Sequence, residues 1–295
     1  MKILKNYKKG ISEATLRPKL VILLWFVNLL FSSFIYFQVA GLVTREVAPH
    51  IEADVLLKKM DFNVLFDLFI YHGEAIRMII KTAIFIGVLY FFISFFLFGG
   101  ILLSLRYPRK NKTEISEKPV MVPLFFHGAG KYFFRFFILW IYSLILWLIF
   151  ILINIFLTPL GNLITRKGEN EPMLLPIGIV RVLIAIFLVL LIKMIMDYAR
   201  IKIVIENTRQ VFRSLLAATG FIFKRFGKVL ALFYLVFLSG MIFFIILWFV
   251  RSLVPISSIM EVLVAFILGQ MVIYSRCWTT TAFQAAQLDY YEKCI

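Results

Sequence analysis

The chain has 295 residues, of which 62% are hydrophobic and only 16% are charged, and its mean hydropathy is +0.94. Soluble domains are roughly half apolar and about a quarter charged, so this composition argues against a water-soluble enzyme, a nucleic-acid-binding protein and a disordered chain. The formal net charge is +16, and the basic residues fall in blocks between apolar stretches. That pattern is typical of a membrane protein facing anionic headgroups.

Six stretches are long and apolar enough to be membrane spans, since a bilayer core requires roughly 20 apolar residues of helix. In chain order they are Leu20–Ala40, Met78–Leu105, Phe137–Leu157, Ile177–Met196, Val229–Val250 and Ile259–Thr280. The first is predicted to be an uncleaved signal anchor, because its apolar run is span-length and no convincing cleavage site follows it. The sequence therefore predicts an all-α, polytopic membrane protein.

The distribution of basic residues orients these spans. The termini and the segments after the second and fourth spans carry 22 Lys and Arg, whereas the opposite loops carry seven. By the positive-inside rule, both termini are predicted to be cytoplasmic. The Ile, Lys and Phe bias is typical of an AT-rich bacterial genome, so we expect the bacterial cytoplasmic (inner) membrane.

A cytoplasmic amphipathic segment precedes each odd-numbered span. The clearest is 206–228, where Val211, Leu215 and Ile222 share one stripe and Arg213 lies opposite. Segments 119–134 and 1–11 show the same pattern more weakly. A basic face opposite an apolar face predicts a helix lying in the headgroup plane.

These segments suggest an internal repeat of three hairpins, each led by an interfacial helix. The predicted repeats are 1–106, 119–204 and 205–295. Six arginines recur at equivalent boundaries. They are Arg17, Arg135 and Arg225 before the odd spans, and Arg106, Arg200 and Arg276 at the cytoplasmic ends of the even spans. All six are candidate contacts to lipid headgroups. The alternative is that the positive-inside rule alone places arginine at each inner boundary.

One stretch resembles a known group of proteins. It comprises Met196-Asp197-Tyr198-Ala199-Arg200, the amphipathic segment with Gly220 and Arg225, and then Leu232-Phe233-Tyr234. This resembles the bacterial six-span membrane domain attached to some glycerophosphodiester phosphodiesterases. The resemblance implies a membrane fold and an accessory role. Because the phosphodiesterase domain has no counterpart in this sequence, it implies no catalytic activity.

Polar residues inside the spans are functional candidates by default. We predict a polar pocket formed by Asn28, Asn154, Lys193 and Gln270. The alternative is structural: the amides form hydrogen bonds between helices, and Lys193 extends to the inner interface.

Enzyme signatures are missing from the sequence. Gly128-Ala129-Gly130-Lys131 superficially resembles a phosphate loop, but Phe125 and Tyr132 occupy positions where a Walker motif requires Gly and Ser or Thr. No His and Glu cluster has the spacing of a metal site. We therefore predict no catalytic residue, no metal and no cofactor.

The outer segment 45–77 is acidic and predicts two short amphipathic helices. These could form a lid over a cavity or a docking face for a partner, or they could lie on the outer membrane surface.

The leading hypothesis is a non-enzymatic accessory or scaffold subunit of a membrane assembly. The alternative is a carrier or channel for a lipid or a small hydrophobic solute. The expected partners are anionic membrane lipids and either another membrane protein or further copies of the chain; no nucleic acid is expected. An intramembrane enzyme would require an acid–base pair that the sequence does not show.

Overall fold

The computed structural model describes residues 2–42, 44–45, 73–110, 121–166, 174–254 and 259–295. Within these ranges the chain forms eight α-helices and no strand. They are α1 Lys2–Thr15, α2 Pro18–Leu42, α3 Gly73–Lys110, α4 Met121–Arg166, α5 Leu174–Glu206, α6 Val211–Lys224, α7 Phe226–Ser252 and α8 Ile259–Glu292.

Six of the helices that the structure describes are long and apolar enough to cross a membrane. These candidate spans are Pro18–Leu42, Ile76–Tyr107, Val122–Leu157, Gly178–Glu206, Phe226–Ser252 and Met260–Glu292. Each overlaps one predicted span, so the predicted multi-pass membrane character is confirmed, as is the all-α fold within the described ranges. Hydropathy located the spans well because a bilayer requires long apolar helices whatever their neighbours.

The three amphipathic segments differ in how they join the following span. Residues 2–15 and 211–224 form the separate helices α1 and α6. Pro18 opens α2, where its missing N–H costs no hydrogen bond. The segment 119–134, in contrast, runs from Met121 directly into the span as part of α4. The positions of these segments in the headgroup plane stay a prediction.

The contacts divide the chain into two units. Unit 1 comprises Met1–Gly10, Phe98–Phe233 and Gln284–Ile295; unit 2 comprises Ile11–Leu97 and Tyr234–Phe283. The predicted repeats 1–106, 119–204 and 205–295 concern similarity between segments, and they stay a prediction.

The core of unit 1 lies where one end of α3 meets the first turns of α4, the end of α5, helix α6 and the end of α8. Its largest fully buried side chains include Tyr132, Tyr198, Phe125 and Phe136. The backbones of α3 and α4 approach closely at glycine: a Cβ on Gly99 would lie 2.9 Å from the carbonyl oxygen of Gly128. Small residues permit such approach, which favours helix association in lipid.

The same unit has two helical stretches with no buried residue. They are 144–157 of α4 and 178–191 of α5. Most of these side chains are large and apolar, among them Leu148, Leu152 and Phe187. A helix that is apolar on all sides is suited to lipid or to another membrane protein.

In unit 2, residues 25–41 of α2 likewise include no buried residue. Helix α7 approaches α8 at Gly240, where an added Cβ would lie 2.5 Å from Cγ2 of Thr279. Trp278 donates a hydrogen bond from Nε1 to Oγ1 of Thr15 at 3.2 Å.

Candidate functional site

In unit 1, Arg106 of α3 and Arg135 of α4 donate hydrogen bonds to groups at the C-terminal end of α5. Arg106 donates to the carbonyl oxygen of Val204. Arg135 donates to Oδ1 of Asn207 at 2.9 Å and to the carbonyl oxygen of Thr208 at 3.2 Å. The last carbonyls of a helix lack intrahelical partners and carry the negative end of its dipole. Arg106 therefore stabilises the end of α5, and Arg135 stabilises the turn that follows it.

The end of α8 has an equivalent contact. Nη1 and Nη2 of Arg225 both lie 3.3 Å from the carbonyl oxygen of Cys294, and both donate to it. The guanidinium carbon also lies 4.9 Å from the ring centroid of Phe221. Arg225 thus contacts the residues that follow α8, as Arg135 contacts the residues that follow α5.

The other predicted headgroup arginines have different surroundings. Arg17 is buried and forms an ion pair with Glu13 at 2.8 Å. Arg200 pairs with Asp197 at 3.2 Å, and its guanidinium lies 4.4 Å from the Phe98 ring centroid. Arg276 is exposed. Five of the six arginines thus contact protein groups, and the lipid role of the set stays a prediction.

A buried carboxylate joins the two ends of the chain within unit 1. The Asp289 side chain is 3% exposed and pairs with Lys9 at 2.6 Å and with Lys293 at 2.5 Å. Lys293 also donates to Oδ1 of Asn6 at 2.7 Å. This cluster could not be predicted from the sequence, because Asp289 lies about 280 positions from Lys9 and Asn6 and each residue alone resembles an ordinary polar surface residue.

A second buried polar group lies on α5 and α8. Gln284 is 7% exposed, and neither Oε1 nor Nε2 has a hydrogen-bond partner among the described residues. The same holds for the hydroxyl of Tyr198, which is fully buried. Buried polar atoms are normally paired. However, these atoms have almost no accessible surface, so the group is packed and does not offer an open binding site.

An open cleft lies between the end of α5 and helix α6. Its volume is about 520 Å³, and its lining includes Lys202, Glu206, Thr208, Arg213, Ser214 and Leu216. Asn207 has φ 50°, a left-handed conformation that Asn tolerates better than most residues. This residue ends α5 and turns the chain toward α6. The cleft therefore depends on the local break that separates the two helices.

The predicted pocket residue Asn28 lies in unit 2 and contacts two other helices. Tyr90 donates to Oδ1 of Asn28 at 2.9 Å. Nδ2 of Asn28 donates to Sγ of Cys277 at 3.6 Å and to the carbonyl oxygen of Leu24 at 2.8 Å. Asn28 consequently links α2 to α3 and α8.

The other three predicted pocket residues make different contacts. Nδ2 of Asn154 donates to the carbonyl oxygen of Phe150 in its own helix at 2.9 Å. The exposed Lys193 has its ammonium nitrogen 5.4 Å from the Phe233 ring centroid. Gln270 has a buried Oε1 without a hydrogen-bond partner in the described structure. A shared pocket stays a prediction.

Asn28→Ala tests the structural alternative directly. The substitution removes the acceptor of Tyr90 and the donor to Cys277, so we expect a loss of about 1 kcal/mol of stability, the usual value for a hydrogen bond. Thermal unfolding of the purified protein in detergent measures it. Ser32→Ala is the control, since the exposed Ser32 hydroxyl donates only within its own helix, to Leu29. Equal unfolding temperatures for the two variants would contradict a linking role for Asn28.

Most of the outer segment 45–77 lies outside the described residues, which exclude 46–72. Within the described ranges, no group of three or more His, Cys, Asp or Glu residues could hold a metal ion.

Comparison of the chain with family models, curated proteins and solved structures finds no match.

Proposed function

We propose that this chain is a non-enzymatic protein of the bacterial inner membrane and serves as an accessory or scaffold subunit of a larger assembly. The observation that supports this role is the contrast within unit 1. Residues 144–157 and 178–191 bury no side chain, whereas the opposite ends of α4 and α5 are tightly packed. At one end of unit 1, α4 and α5 thus pack within the chain. At the other end, their apolar surface is available to a partner.

The proposed orientation places both termini and the packed end of unit 1 in the cytoplasm. The basic excess on that side supports it, because anionic headgroups attract Lys and Arg by roughly 1 kcal/mol per near-surface charge. The proposed lipid contacts follow from this orientation and would include the exposed Arg276.

The arginine contacts also support the proposed repeat of hairpins. Arg135 precedes the third span and contacts the end of α5, which contains the fourth. Arg225 precedes the fifth span and contacts the end of α8, which contains the sixth. The positive-inside rule explains an arginine at each boundary, but it does not require contact with the end of the paired helix. The same kind of contact, from an arginine before the first span to the end of the second, therefore occurs in both hairpins.

The test is mass spectrometry of the full chain extracted from its native membrane in lipid discs without detergent. We expect a mass corresponding to a stoichiometric complex with a second membrane protein or with further copies of the chain. A photoreactive residue at Leu152, in the stretch without buried residues, should cross-link to that same partner. A matched probe at Leu4 on α1 is the control, because Leu4 is also exposed but lies outside this stretch.

Monomers without a stoichiometric partner would contradict the scaffold proposal. The second candidate is a carrier or channel for a lipid or a small hydrophobic solute, and the observation that favours it is the cleft between α5 and α6. A lone chain with one enriched small molecule would support that candidate.

A further inference from the structure

The charges that line the α5–α6 cleft suit a singly charged anion. Lys202 and Glu206 pair at 2.6 Å, so their charges offset each other. Arg213 supplies the remaining positive charge of the lining. Its Nη1 donates to Oε1 of Gln210 at 3.0 Å, which occupies one of the five N–H donors of a guanidinium. A phosphodiester carries one negative charge, and arginine recognises phosphate oxygens in bidentate geometry.

The surface of α6 indicates what the anion is attached to. One face of this helix, which includes Leu215 and Ile222, is buried against the protein. A second row of apolar side chains is exposed: Phe212 at 45%, Leu216 at 57% and Phe223 at 61%. A helix that buries one face and exposes apolar side chains on another is typical of the membrane interface.

The cleft and the apolar row meet at Leu216. This side chain belongs to the exposed row and also lines the cleft. A molecule in the cleft could thus place an anionic group at Arg213 and an acyl chain along Leu216. A free phosphate ion would use only the first of these features.

We propose that the α5–α6 cleft binds the phosphodiester headgroup of an anionic phospholipid from the surrounding bilayer. Most of the arginines predicted to bind headgroups contact protein groups, whereas Arg213 is exposed and uses one of its five donors for Gln210. The proposal is independent of the scaffold function, because a lipid could bind here in either a subunit or a carrier.

The experiment uses the full chain in discs of phosphatidylcholine that contain a minor fraction of photoreactive phosphatidylglycerol. Peptide mapping after irradiation should place the label on residues 202–217. In Arg213→Gln, labelling should fall about fivefold, which corresponds to roughly 1 kcal/mol per basic side chain. Arg213→Lys keeps the charge but loses the bidentate geometry, so its labelling should lie between those of Arg213→Gln and the original chain.

Arg209→Gln is the matched control, because Arg209 is exposed in the same connection but does not line the cleft. This variant should label like the original chain, and excess inorganic phosphate should not compete. The proposal is overturned if photoreactive phosphatidylcholine labels the peptide equally, or if Arg209→Gln and Arg213→Gln lose the same amount. Competition by inorganic phosphate would instead assign the cleft to a free anion and would also overturn the lipid proposal.

Discussion

Gly128→Ala is expected to weaken the packing of α3 on α4 by about 1–3 kcal/mol, the usual range for overpacking. A Cβ at Gly128 would lie 2.6 Å from Cβ of Leu103 and 2.9 Å from the carbonyl oxygen of Gly99. The second distance involves the backbone, so a rotamer change cannot relieve it. The two helices would have to separate where Tyr132 and Leu105 are fully buried.

Gly130→Ala is the matched control for this substitution. It lies two residues further along the same helix, and a Cβ there would meet nothing within 4 Å. Alanine favours a helix over glycine by roughly 0.5–1 kcal/mol, so this variant should be as stable as the original chain or slightly more stable. Unfolding measurements in detergent compare the two, and a Gly128→Ala protein as stable as Gly130→Ala would contradict the close approach of α3 and α4.

Asp289→Asn is expected to release α1 from the end of α8. The carboxylate accepts hydrogen bonds from Lys9 and Lys293, and a hydrogen bond to a charged group contributes about 1.5–3 kcal/mol. Because the two lysine side chains are 41% and 45% exposed, they can regain water when the pair is broken. We therefore expect a loss near the lower end of that range, concentrated in α1.

Hydrogen exchange measures this loss directly, because the amides of residues 2–15 should exchange faster in the variant. Lys9→Gln should produce a smaller change in the same amides. Its neighbour Lys8 is exposed, so Lys8→Gln serves as the control of equal charge and should leave exchange unchanged. Uniformly faster exchange across the whole chain would show that Asp289 supports the fold in general and not the attachment of α1.

The spans could be predicted from sequence because the bilayer, and not a particular neighbour, selects long apolar helices. The contacts at Gly128 and Asp289 could not, because they depend on which helices meet. Gly128 and Gly130 look alike in the sequence, yet only one lies against another backbone. Likewise Lys8 and Lys9 differ only in which side of α1 each occupies.

The boundary arginines show a different limit of sequence reasoning. Their contacts could not be predicted, because an arginine beside a span suits a lipid phosphate and a protein carbonyl alike. Arg135 and Arg225 contact the ends of α5 and α8. Electrostatics determines that the partner of an arginine carries negative charge or partial charge. Only the tertiary arrangement determines which group that partner is.

The unbroken course of α4 has a consequence for how the protein responds to bilayer thickness. At 1.5 Å per residue its 46 residues extend about 70 Å, more than twice a hydrocarbon core of about 30 Å. No proline occurs between Leu124 and Leu157, so the part within the membrane and the part that carries Arg135 form one rod. Hydrophobic mismatch that tilts the apolar part must therefore move Arg135 and its contacts at the end of α5. The break at Arg225 separates α6 from α7, so a tilt of α7 need not move α6. In α4 no such break intervenes, so a tilt caused by bilayer thickness also moves the packed end of its unit.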